Sequence, residues 1–308
     1  MPGKWDVLGL GAVAVDDLVY VDHYPAPDSK QRIHHQKRQG GGLAGTSLVA
    51  VARLGGSAAY CGVLGDDELS AFTLHELERE GVDCSPCVSK VGALPVHSII
   101  IVDQSAGSRV ILFSREGVFE PPAEALTEAL VSNCRVLFVD YLVIASALQI
   151  MPMAQRYGIP VVADIEDDSD PQMPDFLKQI DHLIVGIELG MRLTGEENPV
   201  QMVGALASSG RACSVVTAGS QGCWYSERGG QVQFFPAFQV KAVDTTGCGD
   251  VFHGAYEISI ARGESVPRAI QIATAAAGLK ATQPGGRDGI PSYPTVMEFL
   301  AENGYGND

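Results

Sequence analysis

From about residue 134 onward, short apolar runs alternate with helix-period patterns, and this alternation restricts the fold more than any other feature. The runs at 136–139, 161–164, 182–185 and 213–217 are almost continuously apolar, as strands covered on both faces must be. Between and after them, 145–157, 200–208, 251–262, 266–282 and 293–302 carry helical periodicity. Such alternation implies a three-layer α/β fold: a mostly parallel central sheet with helices on both faces. The N-terminal third departs from it. After a strand at 6–10 come more polar extended runs at 17–23 and 31–39, then a second pair at 96–102 and 109–113. These read as a small separate sheet, a β lid whose strands (17–39 and 96–114) are inserted in the main fold. With 308 residues, 46% of them apolar, no repeats and no long linker, the chain is expected to form a single domain, 1–308.

The segment Asp244-Thr245-Thr246-Gly247-Cys248-Gly249-Asp250 carries the most chemistry. It is a Gly-rich turn feeding the apolar-periodic run that begins at Val251, so it marks a helix N-terminus. Backbone N–H groups there lack intrahelical partners, and the helix dipole adds positive character. The loop can therefore hold an anion. Asp250 is out of place in a simple anion site. It makes sense as a base that takes a proton from a hydroxyl attacking a phosphorus held by the amides of Gly247, Cys248 and Gly249. A capped helix with Asp in its first turn is the plainer alternative.

Two glycine clusters lie upstream. Gly9-Leu10-Gly11-Ala12-Val13-Ala14 matches a dinucleotide fingerprint, but the β-like, acidic continuation through Asp16 and Asp17 is not the required helix. The alternative is a strand end presenting Asp16 to a polyol, whose adjacent hydroxyls one carboxylate can accept. Gly40, Gly41 and Gly42 precede a helical run containing Thr46, and their backbone can approach a substrate closely or serve structure alone. Cys84 and Cys87 have zinc-like spacing without a second pair of ligands.

The 244–254 stretch resembles the Asp-Thr-x-Gly-x-Gly-Asp signature of the ribokinase-like (phosphofructokinase-B) carbohydrate kinases, with Cys248 where the family usually has Ala. The likeness extends over roughly residues 5–295 with its blocks in family order. It implies a Mg-ATP-dependent sugar kinase with Asp250 as base and Asp16, Gly41, Gly42, Thr46 and Arg109 at the sugar. Asn is common in the family where Thr46 stands. Thr217, Gly219 and Gly222 resemble the strand end that contacts the nucleotide, and Gly285 the loop flanking adenine. Glu188 stands in an incomplete Asn-x-x-Glu element (Val185 replaces Asn) that supports Mg²⁺, with Asp164 and Glu166 as rival ligands. Asp244 and Thr246 often enclose a monovalent cation such as K⁺ through their carbonyls. The run 21–32 is most similar to the ketohexokinase branch, in which two lids clasp and an Asp at the position of Asp28 reaches the neighbour's sugar. All seven histidines, His253 included, read as structural or surface.

A net charge of −16 and a pI near 4.7 argue against nucleic acid or an anionic membrane as partner. Seven scattered cysteines suit reduced thiols in a cytoplasm. Val19, Val21, Tyr24 and Ile33 on the lid have no evident cover, so a homodimer through the lid is expected. Three alternatives remain at this stage. One is a kinase of an anionic sugar, met by Arg32, His34, Gln36 and Arg38 alternating on one lid strand; another is a kinase of a nucleoside. The third is an inactive, sugar-sensing homologue.

Overall fold

The computed structural model describes residues 3–105, 108–207 and 210–306. Ser208, at the end of the expected helix 200–208, and residues 106–107, within the lid's second pair of runs, lie outside them. Its central sheet has nine strands. In spatial order these are Gln233–Phe235, Cys223–Glu227, Cys213–Thr217, His182–Gly186, Val161–Ile165, Cys134–Asp140, Trp5–Leu10, Ala58–Cys61 and Val82–Asp83. All neighbours are parallel except at the Gln233–Phe235 end, where two antiparallel pairings form. Side chains alternate across the sheet. Val7, Val136 and Phe138 enter one core, and Leu8, Leu137 and Val139 the other. Helices Leu43–Arg53, Cys248–Ala261 and Val266–Ala281 cover the first face, while Ile144–Tyr157 and Pro199–Leu206 cover the second. The α/β class follows as the alternation implied.

Strand order reverses at Trp5–Leu10, which lies between Cys134–Asp140 and Ala58–Cys61. A crevice therefore opens beyond the carboxyl ends of these strands, the usual ligand position in such sheets. No helix follows Gly11. The chain instead enters the strand Ala14–Val21, which removes the dinucleotide reading. The buried carboxylate of Asp140 fixes this turn by accepting hydrogen bonds from the Ala12 amide (2.5 Å) and the Leu142 amide (2.9 Å).

The second sheet is four-stranded, in the order His35–Gly41, Ala14–Val21, Val96–Asp103, Ser108–Ser114. Its first two strands are displaced from the expected 17–23 and 31–39. Glycine usually weakens a strand, so 40–41 read as loop. Here both glycines are in the ladder because nothing larger fits: a Cβ on Gly40 would lie 2.3 Å from Arg287 Nη1, and one on Gly41 2.4 Å from Asp16 Oδ2. Arg32 and His34 fall outside the strand, and Arg38 pairs with Asp17 and Glu68, so the alternating cationic face does not form. The uncovered apolar surface differs in part from expectation. Ile33 is exposed as expected, but Val21 is buried and Val19 and Tyr24 are half-buried, whereas the edge strand Ser108–Ser114 is exposed throughout, Leu112 at 54% and Phe113 at 60%. No helix among the described residues is long and apolar enough to cross a membrane.

Candidate functional site

Two carboxylates arrive from opposite sides of the crevice. Asp16 points inward from its strand while Asp17 points outward to Arg38 and His97, as alternation requires. Asp250 lies in the first turn of Cys248–Ala261, a helix that begins three residues earlier than its periodicity suggested. Gly247 caps that helix in the left-handed conformation, φ 75°, and a Cβ there would sit 2.7 Å from the Gly286 carbonyl oxygen. Among the described residues, the amides of Gly249 and Asp250 have no backbone partner, and both face the helix mouth. The Cys248 amide, expected to meet the anion, donates instead to the Thr245 carbonyl at 3.2 Å. Its thiol is pushed up by burial.

Between the two aspartates lies a group the sequence reasoning did not assign, the buried guanidinium of Arg287. Its Nη2 donates to the Gly41 carbonyl at 2.7 Å and its Nε to Thr46 Oγ1 at 3.3 Å, joining two expected sugar-site residues. Burial lowers its pKa to about 10, while Asp16 and Asp250 pull the other way. Burial raises Asp16, offset in part by Ser98 and Arg287. The position of Arg287 in a block of glycines, Gly285-Gly286-Arg287-Asp288-Gly289, was the available signal.

Burial also pushes Asp250 well above the usual carboxylate range, and the neighbouring charges of Asp164 and Glu166 add to it. Asp164, at the end of Val161–Ile165, is raised by burial and by Glu166 and Asp140. Two like charges this close disfavour double ionisation. His253, read as structural, sits against this pair: its Nδ1 lies 2.9 Å from the Gly249 carbonyl and 3.3 Å from Asp164 Oδ2. Burial lowers its pKa, opposed in part by the carbonyls it meets and by Glu166.

A cavity of about 520 Å³ opens on the far side of the helix mouth, large enough for a nucleotide. Glu188, Thr217, Gly219, Gly222, Cys248, Gly249 and His253 line it. Gly285, expected beside adenine, does not. Its amide donates to Asp244 Oδ2 at 2.9 Å, and it lies next to Gln39 at the other end of the site. Arg109 reaches Asp244, Nη1 to Oδ1 3.6 Å. Asp28 is exposed, with φ 55°, on the loop before His35–Gly41. Among the described residues no three His, Cys, Asp or Glu side chains are grouped to hold a metal ion.

The sequence model of the pfkB family carbohydrate kinases matches residues 7–293, and the chain belongs to that family, whose members are phosphotransferases. The chain is 30% identical to Fructokinase-1 of Oryza sativa subsp. japonica, across 84% of this chain and 87% of that protein. A crystal structure from Agrobacterium tumefaciens, described provisionally as a ribokinase, superposes with TM-score 0.92 at 30% identity, covering 99% of this chain and 100% of that one. Arabidopsis thaliana ribokinase, solved with ribose and ATP, is similar in fold, with TM-score 0.83 at 21% identity, covering 97% and 99%. Fructokinases among the relatives are consistent with the ketohexokinase-like pattern of residues 21–32.

Proposed function

We propose that this chain transfers the γ-phosphoryl group of ATP to a sugar hydroxyl. The observation that carries the reading is one helix mouth, Gly247–Asp250, set between the nucleotide-sized cavity and the buried Asp16–Arg287 pair. The sugar lies against Asp16, Gly41, Gly42 and Thr46, with Arg287 holding Gly41 and Thr46 in register. Asp250 takes the proton of the attacking hydroxyl. The hydroxyl oxygen bonds to the γ-phosphorus as the bond to the ADP oxygen breaks, and the Gly249 and Asp250 amides stabilise the transferring oxygens. Thr217, Gly219 and Gly222 run along the nucleotide.

Mg²⁺ would neutralise charge across the phosphates. It normally keeps several waters and needs only one or two carboxylates. Glu188 on the cavity wall and Asp164 beside Asp250 suit such a hydrated ion, so the absence of a three-ligand cluster among the described residues is no obstacle. The whole chain works as one kinase domain in which the small sheet is the lid, excluding water from the transfer.

A coupled ADP-release assay across ketoses, aldoses, nucleosides and sugar phosphates tests the reading. Release driven by a neutral sugar is expected. Release with sugar phosphates or nucleosides only would move the acceptor to another class, and none with any acceptor would favour a sensing homologue.

Assembly belongs to the same proposal. A long, exposed apolar edge strand is a ready pairing template, and a second copy would cover Ser108–Ser114. Asp28 of one copy would then approach the other's sugar. Light scattering is expected to show a homodimer, and Asp28→Ala to raise the sugar KM more than that for ATP. A monomer with full activity would overturn both.

A further inference from the structure

Lys280 ends in an unusual place. It lies in the last turn of Val266–Ala281, is fully buried, and donates from Nζ to the Asp244 carbonyl at 2.9 Å. That carbonyl is one of the oxygens the family resemblance assigns to a monovalent cation. The surrounding turn is tied to the same helix end: the Val243 and Asp244 amides both donate to the Ala281 carbonyl, at 2.7 and 3.1 Å. The Asp244 carboxylate is also engaged, accepting from the Thr246 amide (2.9 Å), the Thr246 hydroxyl (2.7 Å) and the Gly285 amide (2.9 Å). Cys248, Asp250 and Arg109 are the other charged or titratable groups near the ammonium. Burial lowers the pKa of Lys280, and Cys248, Asp244 and Asp250 oppose that shift; a metal ion on the same carbonyl would meet the amino group, and in its ammonium form a positive charge, within a few ångströms, in surroundings that screen poorly. The residues present therefore do not fit a separate ion at this oxygen.

We infer that the Lys280 ammonium takes the place of the monovalent cation, so that the turn Asp244–Thr246, and through it the first amides of Cys248–Ala261, are set without K⁺. An ammonium is close to K⁺ in charge and size, and it donates hydrogen bonds to carbonyls that a metal would coordinate. A helix C-terminus also favours a cation. Lys280 is thus a positioning residue. It acts on the helix mouth through Asp244 and does not touch the reacting atoms. The inference rests on the kinase reading for its catalytic consequence, though not for its structural one.

The test compares wild type with Lys280→Ala in KCl, NaCl and choline chloride at equal ionic strength. Wild-type turnover with ATP and sugar is expected to be the same in all three. Lys280→Ala in choline is expected to fall about 10–150-fold, the equivalent of one charged hydrogen bond, and to recover in KCl. Thermal melting gives a readout that needs no activity. Wild-type Tm should not distinguish K⁺ from choline, whereas Lys280→Ala should be raised by K⁺. Strong K⁺ activation of the wild type would overturn the inference, as would a variant that folds but shows no preference for K⁺ in either measurement. If the variant does not fold, the wild-type comparison alone decides. If no acceptor is phosphorylated in any salt, the kinase reading fails while the melting data still judge Lys280.

Discussion

Asp250→Asn lowers kcat by roughly 10²–10⁴ and leaves ATP binding nearly unchanged, the usual range for removing a general base. The amide keeps the shape of the carboxylate and cannot accept the hydroxyl proton. The helix mouth is built by Gly247 and the backbone, so the variant retains its anion-binding amides. The pH dependence has a definite sign. Burial and the adjacent Asp164 raise the pKa of Asp250, so the base form is lost at a higher pH than an exposed aspartate would require. Wild-type kcat/KM therefore falls as pH drops through that raised value and recovers as pH is raised through it again. Steady-state kinetics with calorimetric ATP titration checks both parts. Near-normal turnover by the variant would falsify the assignment of the base.

Asp16→Ala raises the sugar KM and changes the ATP KM little. Each hydrogen bond to a charged acceptor contributes about 1.5–3 kcal/mol, so one lost contact corresponds to roughly 10–150-fold. The loss has a second component here. Asp16 is the first of the carboxylates that offset the burial of Arg287, and without it that guanidinium keeps the charges of Asp250, Glu80 and Glu76 and its hydrogen bonds to Gly41 and Thr46. Leaving a buried charge short of its partner is costly, so Asp16→Asn, which preserves polarity at the site, should be milder. Measured KM values for both substrates in the two variants separate these contributions. An increase confined to the ATP KM would place Asp16 on the nucleotide side.

Much of this was legible in the chain, for identifiable reasons. The parallel strands could be read because both faces are covered and their apolar runs are unbroken: Cys213–Thr217 and the helix Tyr293–Glu302 fall where periodicity placed them. Asp250 was legible because a carboxylate after a Gly-rich turn contradicts a plain anion site. The strand His35–Gly41 was not, since its glycines are there for close approach to Asp16 and Arg287, groups distant in sequence. Arg287 and Lys280 escaped notice for a related reason. Each is a single cation whose meaning comes from a tertiary partner, Asp16 for one and the Asp244 carbonyl for the other. His253 read as a helix-interior residue, and only the fold shows it pressed against Asp164.

The central claim is that the γ-phosphoryl group passes from ATP to a sugar oxygen at this helix mouth. Phosphorus NMR of the wild-type protein with Mg-ATP and the sugar most active in the ADP-release assay tests it most directly. The account predicts a phosphomonoester signal growing in step with ADP at one-to-one stoichiometry, and no such signal with Asp250→Asn. ADP accompanied only by inorganic phosphate, or a phosphomonoester formed equally well by Asp250→Asn, would contradict it.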